Sequence, residues 1–515
     1  MEIIANRALL LPRTEDPSLI TEAIRKSAET DEGVVVHWGL DEAETLVKLG
    51  FTDTPSPILR QYQWTGKFEP FAHQKTTASF LSLRHRAFCF NEQGTGKTAS
   101  VIWAADYLMK LGKVKRVLVL CPLSIMRSAW QEDLFKFAMH RSCSVAHGTS
   151  AQRAKIIKAG AEFVIINYDG VEVVRDAIMM GGFDLIVIDE ANAYKNAKTN
   201  RWKTLNRIVT ATNPRVWMLT GTPAAQSPVD AYGLAKLLNL PHCPKYFGTF
   251  QDRVMHKVTQ FRWVPRPEAQ SIVHGLLQPA IRFAKKDCLD LPDVTHVDRE
   301  APLTPQQLKY YRQLKTELLI ASDGEEVSAV NAAAKLNKLL QISGGAVYTD
   351  AGQVLEFDVS NRINVVLEVI REASHKVLIF VPFTHTIELL RDRLEKEGIS
   401  AAVINGEVSM NKRSDIFQRF QEQKDPHVLI IQPQAASHGV TLTAADTIIW
   451  YAPVASVETY LQANARIDRA GQRNPMTIVH IQGSADEERV YRMLRGNIGH
   501  HKHLVELYRE MLDKE

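Results

Sequence analysis

The sequence predicts an α/β protein with two doubly wound parallel-sheet lobes, a helical link between them and a small N-terminal α/β module. In two separate stretches, short apolar runs alternate with amphipathic helical segments, which is typical of parallel strands covered on both faces. The stretch between them loses this alternation and is richer in helical segments, proline and basic residues. At 515 residues, the chain has room for about three domains.

The predicted organisation has five segments. They are an N-terminal module (1–60), a first α/β lobe (61–240), a helical link (241–355), a second α/β lobe (356–495) and a C-terminal helix (496–515). The module is too small to be very stable unless it docks on the rest. Within it we expect a helix at Ser18–Glu29 and another capped by Asp41 and stopped by Gly50.

The strands are predicted from short apolar runs bounded by turns or polar residues. Those of the first lobe are Ala87–Asn91, Arg116–Cys121, Phe163–Asn167, Leu185–Asp189 and Val216–Thr220. Those of the second lobe are Val377–Val381, Ala402–Ile404, Val428–Ile431, Thr447–Trp450 and Thr477–Ile481. The link is expected to contain helices at Pro305–Ser322 and Val327–Ile342. Two similar lobes joined in this way are expected to form a cleft.

Composition excludes several classes of protein. Lys and Arg number 62 against 58 Asp and Glu, a balance that neither requires nor excludes a polyanionic partner. The five cysteines include no Cys-x-x-Cys pair, so we expect neither zinc nor a disulfide framework, and Cys89 and Cys121 are interpreted as buried apolar residues. The apolar runs are shorter than the ~18 residues of a membrane span. Without a signal peptide, we expect a cytoplasmic protein, nucleoid-associated if its source is bacterial or a phage.

A glycine-rich loop follows the first of these strands and opens a helix. It reads Asn91-Glu92-Gln93-Gly94-Thr95-Gly96-Lys97-Thr98. Backbone amides in such a loop cradle phosphates, the lysine reaches the β- and γ-phosphates and the final hydroxyl binds Mg²⁺. We therefore predict a nucleotide-phosphate site at Gln93, Gly94, Thr95, Gly96, Lys97 and Thr98.

Two adjacent carboxylates follow a later strand of the same lobe. Asp189 is expected to hold Mg²⁺ together with Thr98, and Glu190 to orient the attacking water and accept its proton. An isolated Asp-Glu pair is more often a solvated turn, but a phosphate loop in the same lobe reverses that preference. Together the two motifs predict a nucleoside triphosphatase.

Two further motifs are ambiguous by themselves. Thr220-Gly221-Thr222 suits a sensor of the γ-phosphate, although it also fits a structural turn. Arg466 and Arg469 are three residues apart and share a helical face. They are candidate arginine fingers, worth ~10³–10⁵ in rate, or else a solvated charge pattern with Asp468 as a local partner.

Residues 66–495 resemble the superfamily-two helicase-like ATPases, specifically the Swi/Snf-type DNA translocases. Phe71-Ala72-His73-Gln74 is similar to the adenine-reading motif of this family, and Cys121-Pro122-Leu123-Ser124, followed by Trp130 and Glu132, is similar to its DNA-contacting segment. Leu291-Pro292 and Leu303–Gln307 resemble the linker between the lobes. The run Arg466–Gln472 is the most discriminating, because the neighbouring Asp-Glu-Ala-Asp class of RNA helicases carries a different string there.

The resemblance implies two RecA-like lobes that bind ATP and Mg²⁺ and move along double-stranded DNA by sequence-independent contacts to its backbone. It implies Gln74 as the reader of adenine and adds Gly439 and Gln462 to the nucleotide site. It also implies that Ser124 caps a helix whose amides hold a DNA phosphate. The implied DNA contacts are Pro122, Ser124, Thr220, Thr222, Thr384, Gly406, Ser437 and Thr441.

The chain departs from the family pattern at three positions. Asn192 stands where the family usually has the histidine that helps couple hydrolysis to DNA contact, so the resemblance does not predict how tight that coupling is. Asn91 stands where Asp is common, and Thr441 where Asn is common. The short stretch from Pro223 to Lys376 resembles compact bacterial or phage versions of the family.

Several alternatives remain open at this point. The motor could remodel forks or branched DNA without separating strands, or it could displace a bound complex such as RNA polymerase through a partner-binding module at 1–60. A nucleotide-gated binding protein without turnover is disfavoured, because the catalytic residues are intact. Tyr62 and Trp64 either stack on adenine or pack the module against the first lobe. His500, His501 and His503 are interpreted as part of a solvated helix and not as metal ligands.

Overall fold

The chain divides into two compact units, Met1–Leu289 and Asp290–Glu515. The computed structural model describes residues 1–12, 17–66, 68–221, 223–224, 227–259, 263–320, 329–348, 354–435 and 440–496. Thr222, Ser437, Gly439, the three C-terminal histidines and the predicted C-terminal helix beyond Gly496 lie outside these residues. Each unit has its own parallel sheet.

The first unit is organised around a seven-stranded sheet in which every pairing is parallel. Its strands, in spatial order, are Ala280–Ile281, Arg86–Cys89, Arg215–Leu219, Leu185–Ile188, Val117–Cys121, Phe163–Asn167 and Cys143–Val145. The helices of this unit after residue 60 are Ala72–Ser82, Lys97–Lys110, Glu132–Ala138, Ser150–Lys158, Tyr168–Val173, Arg175–Met179, Asn200–Thr212, Asp230–Leu237, Phe247–Val254, Ala269–Leu276 and Lys285–Cys288. A hairpin of Met255–Lys257 and Trp263–Pro265 lies beside them.

Burial explains why these runs form central strands. Successive side chains of a strand point to opposite faces. Leu118 and Leu120 therefore join the core on one face of the sheet, and Val117 and Val119 join the core on the other. Cys89 and Cys121 are fully buried in their strands, as expected. All five predicted strands are confirmed, whereas the two short edge strands, Ala280–Ile281 and Cys143–Val145, were not predicted.

The N-terminal module is part of the first unit. It is a four-stranded antiparallel sheet with its own helices, and it packs against the rest of that unit. Its strands are, in spatial order, Glu2–Ile4, Ala8–Leu11, Gly33–His37 and Ser27–Thr30, and its helices are Pro17–Ala23 and Leu40–Lys48, followed by Ile58–Gln61. Leu40 and Ala43 are buried in the core of the unit, and Glu44 forms an ion pair with Arg215 (2.7 Å).

Two predictions for this module are wrong. The expected helix Ser18–Glu29 ends at Ala23, because Ser27–Thr30 instead pairs with Gly33–His37 in an antiparallel hairpin. Asp41 lies inside the first turn of its helix, whose N-cap is Gly39. The predicted stop is confirmed, since the helix ends just before Gly50, which has a positive φ of 100°.

The second unit contains a six-stranded sheet whose strands are also all parallel. In spatial order they are Val294–Glu300, Met476–Gln482, Ala445–Trp450, Lys376–Phe380, Val428–Ile431 and Ala401–Ile404. The helices are Pro305–Ile320, Ala329–Gly344, Ser360–Glu372, Thr384–Lys396, Met410–Glu422, Val457–Asn464 and Ala485–Gly496, with a hairpin of Ala346–Tyr348 and Val354–Glu356. The five strands predicted for this lobe are confirmed.

The predicted link at 241–355 is shared between the two units. Residues 241–289 lie in the first unit and residues 290–355 in the second. Its two expected helices are present, but Val294–Glu300 is an edge strand paired with Met476–Gln482. Only Val294 and Val297 are apolar in that strand, and its partner lies far along the chain, so the apolar pattern gives little sign of it. Among the described residues, no helix combines the length and apolar character that crossing a membrane requires.

Candidate nucleotide and nucleic-acid site

Three of the predicted motifs meet at one edge of the first sheet. The phosphate loop follows Arg86–Cys89, Thr220 follows Arg215–Leu219, and Asp189 follows Leu185–Ile188. These three strands are neighbours and run parallel, so their carboxyl ends share an edge. This is the edge at which open α/β sheets bind ligands.

The phosphate loop turns through two glycines with left-handed backbone. Gly94 and Gly96 have φ of 83° and 79°. A Cβ at Gly96 would lie 2.1 Å from the side-chain nitrogen of Gln74, so a larger residue would strain the backbone and also displace the end of that side chain. The ammonium of Lys97 donates to the carbonyl oxygens of Asn91 (2.9 Å) and Glu92 (3.3 Å). The lysine is thereby held at the mouth of the loop.

The loop is suited to bind a polar ligand. Both amide atoms of the Gln93 side chain are buried, and neither has a hydrogen-bond partner among the described residues. A Cβ at Gly221 would lie 3.3 Å from Cγ of Gln93, which places the Thr220-Gly221 turn directly against the loop. Such a cradle of glycines and an unpaired amide fits nucleotide phosphates.

Gln74, the predicted adenine reader, is attached to the phosphate loop itself. Its side chain accepts a bond from the backbone N–H of Phe71 (3.0 Å) and donates to the carbonyl of Thr95 (3.2 Å). The ring of His73 also bonds the Thr95 carbonyl (2.8 Å). The helix Ala72–Ser82 therefore begins in direct contact with the loop, and the role of Gln74 in reading adenine stays a prediction.

The last segment of the first unit, around Phe283 and Lys285, is hydrogen-bonded to the phosphate loop and forms a clamp on it. The side-chain oxygen of Asn91 accepts a bond from the backbone N–H of Phe283 (3.0 Å), and its NH₂ group donates to Thr77 (2.8 Å). The carboxylate of Glu92 accepts from the backbone N–H of Lys285 (3.0 Å). The sequence did not predict this clamp, because Phe283 and Lys285 form these bonds through their backbone N–H groups, which do not depend on the type of residue.

Asp189 is buried and firmly held. Its Oδ2 accepts from the indole N–H of Trp130 (2.9 Å), and its Oδ1 accepts from the backbone N–H of Glu190 (3.0 Å). Burial raises the pKa of Asp189, although the Trp130 bond and the charge of Lys97 act in the opposite direction. The hydroxyl of Tyr168 donates to the backbone carbonyl of Asp189 (2.5 Å).

The residues around Asp189 have the geometry of a strained functional turn. Glu190 has a φ of 46°, which is uncommon for a residue with a side chain and is typical of functional sites. Thr98 lies in the first turn of Lys97–Lys110. The Asp189 carboxylate and the Thr98 hydroxyl are oxygen donors of the kind that Mg²⁺ prefers, so the residues present fit a magnesium ion.

Two predicted DNA contacts of this unit lie along the same edge. Pro122 follows the strand Val117–Cys121. Thr220 is fully buried, and its N–H donates to the carbonyl of Cys89 (3.1 Å). Ser124 lies within the short 3₁₀ turn Leu123–Ile125, whose N-cap is Pro122, so its expected role as a helix cap is wrong. Nothing is described of the Ser124 side chain.

The motifs of the second unit also gather at one sheet edge. Thr384, Gly406 and Thr441 follow the carboxyl ends of three adjacent parallel strands, Lys376–Phe380, Ala401–Ile404 and Val428–Ile431. Thr441 is exposed, and the N–H of Gly406 donates to the side chain of Gln432 (3.2 Å). An edge shared by these residues suits contacts to a polymer backbone.

Arg466 and Arg469 converge on a single backbone carbonyl. Both guanidinium groups donate to the carbonyl of Val440, at 3.3 and 3.1 Å. Arg466 also donates to the carbonyl of Gln462 (2.9 Å) and is 5% exposed, so it is not a solvated surface charge. The common helical face predicted for the pair is wrong, because the helix Val457–Asn464 ends before Arg466 and both arginines lie in the turns that follow it.

The aromatic residues before the Gln74 motif pack into the protein. Tyr62 is 5% exposed and donates to Asp106 (2.6 Å), and Trp64 packs edge-on against Tyr62 and Trp103. These contacts favour the packing interpretation over adenine stacking. Asn192 lies in the 3₁₀ turn Ala191–Tyr194 directly after Glu190.

Comparison with known families decides the class of the protein. The SNF2-related domain matches residues 73–345, and the helicase conserved C-terminal domain matches residues 361–471. This chain belongs to the SNF2-related family. The predicted resemblance to Swi/Snf-type proteins, the fold class and the enzyme class, a helicase-like ATPase, are thereby confirmed at the level of the family.

Several proteins are similar to this SNF2-related chain. Chromodomain-helicase-DNA-binding protein 1-like of Mus musculus is 27% identical over 424 residues, covering 78% of this chain and 46% of that protein. An uncharacterized ATP-dependent helicase of Mycoplasma genitalium is 26% identical over 411 residues (78% and 38%). ATP-dependent DNA helicase DDM1 of Arabidopsis thaliana is 25% identical over 497 residues (88% and 63%). The chain therefore spans less than two thirds of the length of these relatives.

A solved structure is also similar to the chain. The Sulfolobus solfataricus SWI2/SNF2 ATPase core in complex with dsDNA aligns with a TM-score of 0.40 and 23% identity, covering 84% of this chain and 92% of that one.

Proposed function

We propose that this SNF2-related chain hydrolyses ATP with Mg²⁺ and uses the hydrolysis to move along double-stranded DNA without reading its bases. The observation that carries the proposal is the meeting of the phosphate loop, Asp189-Glu190 and the Thr220 turn at one sheet edge. Pro122, at the start of the segment predicted to contact DNA, follows a strand that ends at the same edge. The sites proposed for hydrolysis and for DNA contact are therefore adjacent in the first unit.

Each residue of the first unit has a defined role in this proposal. The glycine-rich loop binds the phosphates through its amides, and the Lys97 ammonium neutralises their charge. Asp189 and Thr98 would hold Mg²⁺, which supplies charge neutralisation on the phosphate oxygens. Glu190 orients the attacking water and accepts its proton.

The second unit supplies arginines and further contacts to DNA. We propose that Arg466 and Arg469 stabilise negative charge on the transferring phosphoryl group, as arginine fingers do. Gly439 and Gln462 are proposed to assist at the nucleotide. Thr384, Gly406, Ser437 and Thr441 are proposed to bind the DNA backbone, together with Pro122, Ser124 and Thr222 in the first unit. Thr220, predicted from the sequence to contact DNA, is fully buried and is not included in this proposal. Contacts of this kind are sequence-independent and weaken steeply with salt.

The test is ATP turnover of the purified chain with duplex, single-stranded, forked and RNA substrates, run beside displacement of a triplex-forming strand from duplex DNA. We expect duplex DNA to stimulate turnover and the triplex strand to be displaced. Lys97→Ala and Glu190→Gln should each lower turnover by about 10²-fold or more, because each removes a group that acts on the reacting phosphate or water. Stimulation by RNA alone would contradict the DNA assignment, and undiminished turnover in either variant would contradict its role.

A second candidate is the displacement of a bound protein complex, such as RNA polymerase, by the translocating chain. The position of the N-terminal module favours it. Arg84, which lies just before the strand Arg86–Cys89, donates to the Thr52 carbonyl of the module (2.8 Å). Arg215, the first residue of its strand, forms an ion pair with Glu44 of the module (2.7 Å). The module therefore lies away from the nucleotide edge and is suited to hold a partner. ATP-dependent release of a stalled polymerase from DNA tests this function, and release that proceeds equally with Glu190→Gln would contradict it.

A further inference from the structure

Trp130 connects the segment predicted to contact DNA with the predicted magnesium site. Its side chain is fully buried, and its indole N–H donates to Oδ2 of Asp189 at 2.9 Å. A fully buried ring cannot itself contact DNA. Its polar atom is instead committed to the carboxylate that is proposed to hold the metal.

The local backbone explains how Trp130 reaches this position. After the strand Val117–Cys121 the chain makes the 3₁₀ turn Leu123–Ile125, then a π-helical segment at Met126–Gln131, and then the α-helix Glu132–Ala138. A π-helical turn widens the helix by one residue per turn and occurs frequently at functional sites. The ring packs among the core residues beneath the sheet, which leaves it little freedom to move without the segment.

Four hydrogen bonds among the described residues hold Asp189, and one of them comes from the segment predicted to contact DNA. The Asp189 N–H donates to the Leu120 carbonyl in the neighbouring strand (2.9 Å). The Glu190 N–H bonds its Oδ1, and the Tyr168 hydroxyl bonds its backbone carbonyl. The Trp130 bond is the contact that joins Asp189 to residues 122–131. A shift of that segment therefore changes the orientation of Asp189 through this bond.

We infer that Trp130 is a positioning residue that orients Asp189 for Mg²⁺ and transmits DNA contact at residues 122–131 to the nucleotide site. The inference rests on the proposed function, which makes Asp189 a metal ligand. It supplies a route for coupling in a chain that has Asn192 where the family usually has histidine. Residues that orient a metal ligand typically change metal affinity or activity by about 10–100-fold when they are replaced.

The test replaces Trp130 by Phe, which keeps an aromatic ring and removes the N–H donor. The matched control is Trp217→Phe. Trp217 is also fully buried and donates its indole N–H to a carbonyl, that of Arg84 (3.0 Å), which lies at the amino end of the sheet. Trp130→Met is a second variant without the donor, and its flexible side chain fills irregular space if the Phe variant does not fold.

The first readout is binding of a fluorescent ATP analogue as a function of Mg²⁺ concentration, without DNA and without turnover. We expect Trp130→Phe to need about 10-fold more Mg²⁺ for half-maximal enhancement of binding, and Trp217→Phe to behave as the wild type. The second readout is the ratio of DNA-stimulated to unstimulated turnover, which should fall about 10-fold in Trp130→Phe only.

Two results would overturn the inference. One is a Mg²⁺ dependence of nucleotide binding in the folded Trp130 variants that equals the wild type. The other is an equal loss in Trp130→Phe and Trp217→Phe, which would show a general effect of losing a buried indole bond. Because the first readout needs neither DNA nor hydrolysis, it tests Trp130 even if duplex DNA fails to stimulate the wild type, a result that would count against the proposed function alone.

Discussion

Asn91 joins the phosphate loop to two neighbouring segments through the hydrogen bonds of its side chain. It is 1% exposed, and its side-chain amide uses both ends, accepting from the Phe283 N–H and donating to the Thr77 hydroxyl. The Thr77 hydroxyl already donates to the carbonyl of His73 (2.8 Å), so it is suited to accept a bond at this position. The NH₂ group of Asn supplies that bond, whereas an ionised Asp, the common residue of the family here, has no donor.

We expect Asn91→Leu to lower the free energy of unfolding by about 2–4 kcal/mol, because two buried polar groups lose their partner and each costs roughly 1–3 kcal/mol. Thr77→Val keeps the bond from the Phe283 N–H to Asn91 but removes both bonds of the Thr77 hydroxyl, to Asn91 and to the His73 carbonyl, so it should cost about 1–3 kcal/mol. Urea denaturation followed by circular dichroism measures both. Equal stability of Asn91→Leu and the wild type would show that the clamp contributes nothing to the fold.

At the scale of elements, the helix Lys97–Lys110 carries a buried carboxylate that ties two neighbouring segments to it. The Asp106 side chain is fully buried and accepts bonds from Tyr62 (2.6 Å), His140 (2.8 Å) and Arg141 (2.6 Å). Burial alone raises the pKa of Asp106, but these bonds outweigh it and hold the pKa below its ordinary value. The helix that starts at the phosphate loop is thereby fixed at its far end.

We expect Asp106→Asn to destabilise the fold by about 1–3 kcal/mol at pH 7, because the neutral amide weakens the charge-assisted bond from Arg141, which keeps its ion pair with Glu162. The pKa of Asp106 is lowered in the folded protein. The stability that its carboxylate contributes is therefore complete above the unfolded pKa of about 4, and it is lost as the pH falls through the folded pKa. Urea midpoints of wild type and variant should therefore stay apart from pH 7 down to about 4 and converge only as the pH falls further, through the folded pKa.

The control for Asp106 is Lys110→Ala. Lys110 also pairs with Asp106 (3.2 Å), but its side chain is 41% exposed, so its loss should cost under about 1 kcal/mol. A pH-independent difference between Asp106→Asn and the wild type would contradict the lowered pKa.

At the scale of the whole molecule, the N-terminal module has its own small core and also completes the core of the first unit. Leu9, Leu11 and Val36 are fully buried inside the module, whereas Leu40 and Ala43 pack with the residues beneath the seven-stranded sheet. The helix Leu40–Lys48 is therefore part of the first unit and not a separate appendage.

We expect deletion of residues 1–50 to lower the midpoint of thermal unfolding by roughly 5–10 °C, since it uncovers apolar surface at the amino end of the sheet. Glu44→Ala removes only the ion pair with Arg215 and should lower the midpoint by less than half as much. Scanning calorimetry measures both. A truncated chain that melts with the full chain would show that the module is independent of the first unit.

The sequence by itself determined the class of fold, the central strands, the glycine-rich loop and the family. These features are encoded locally, by runs of apolar residues with strand periodicity and by glycines that a tight turn requires. The nucleotide-binding roles predicted for the loop and Asp189, and the sensor role considered for Thr220, agree with their meeting at the edge where their parallel strands end.

Only the tertiary structure decided the contacts between residues distant in sequence. The bond from Trp130 to Asp189, the clamp of Asn91 on Phe283 and the edge strand Val294–Glu300 beside Met476–Gln482 each join segments far apart along the chain. The residues that complete these contacts use backbone atoms or, at Trp130, a buried indole that the sequence alone assigns to the core. No local pattern encodes such pairings, because they depend on which surfaces the completed sheet brings together.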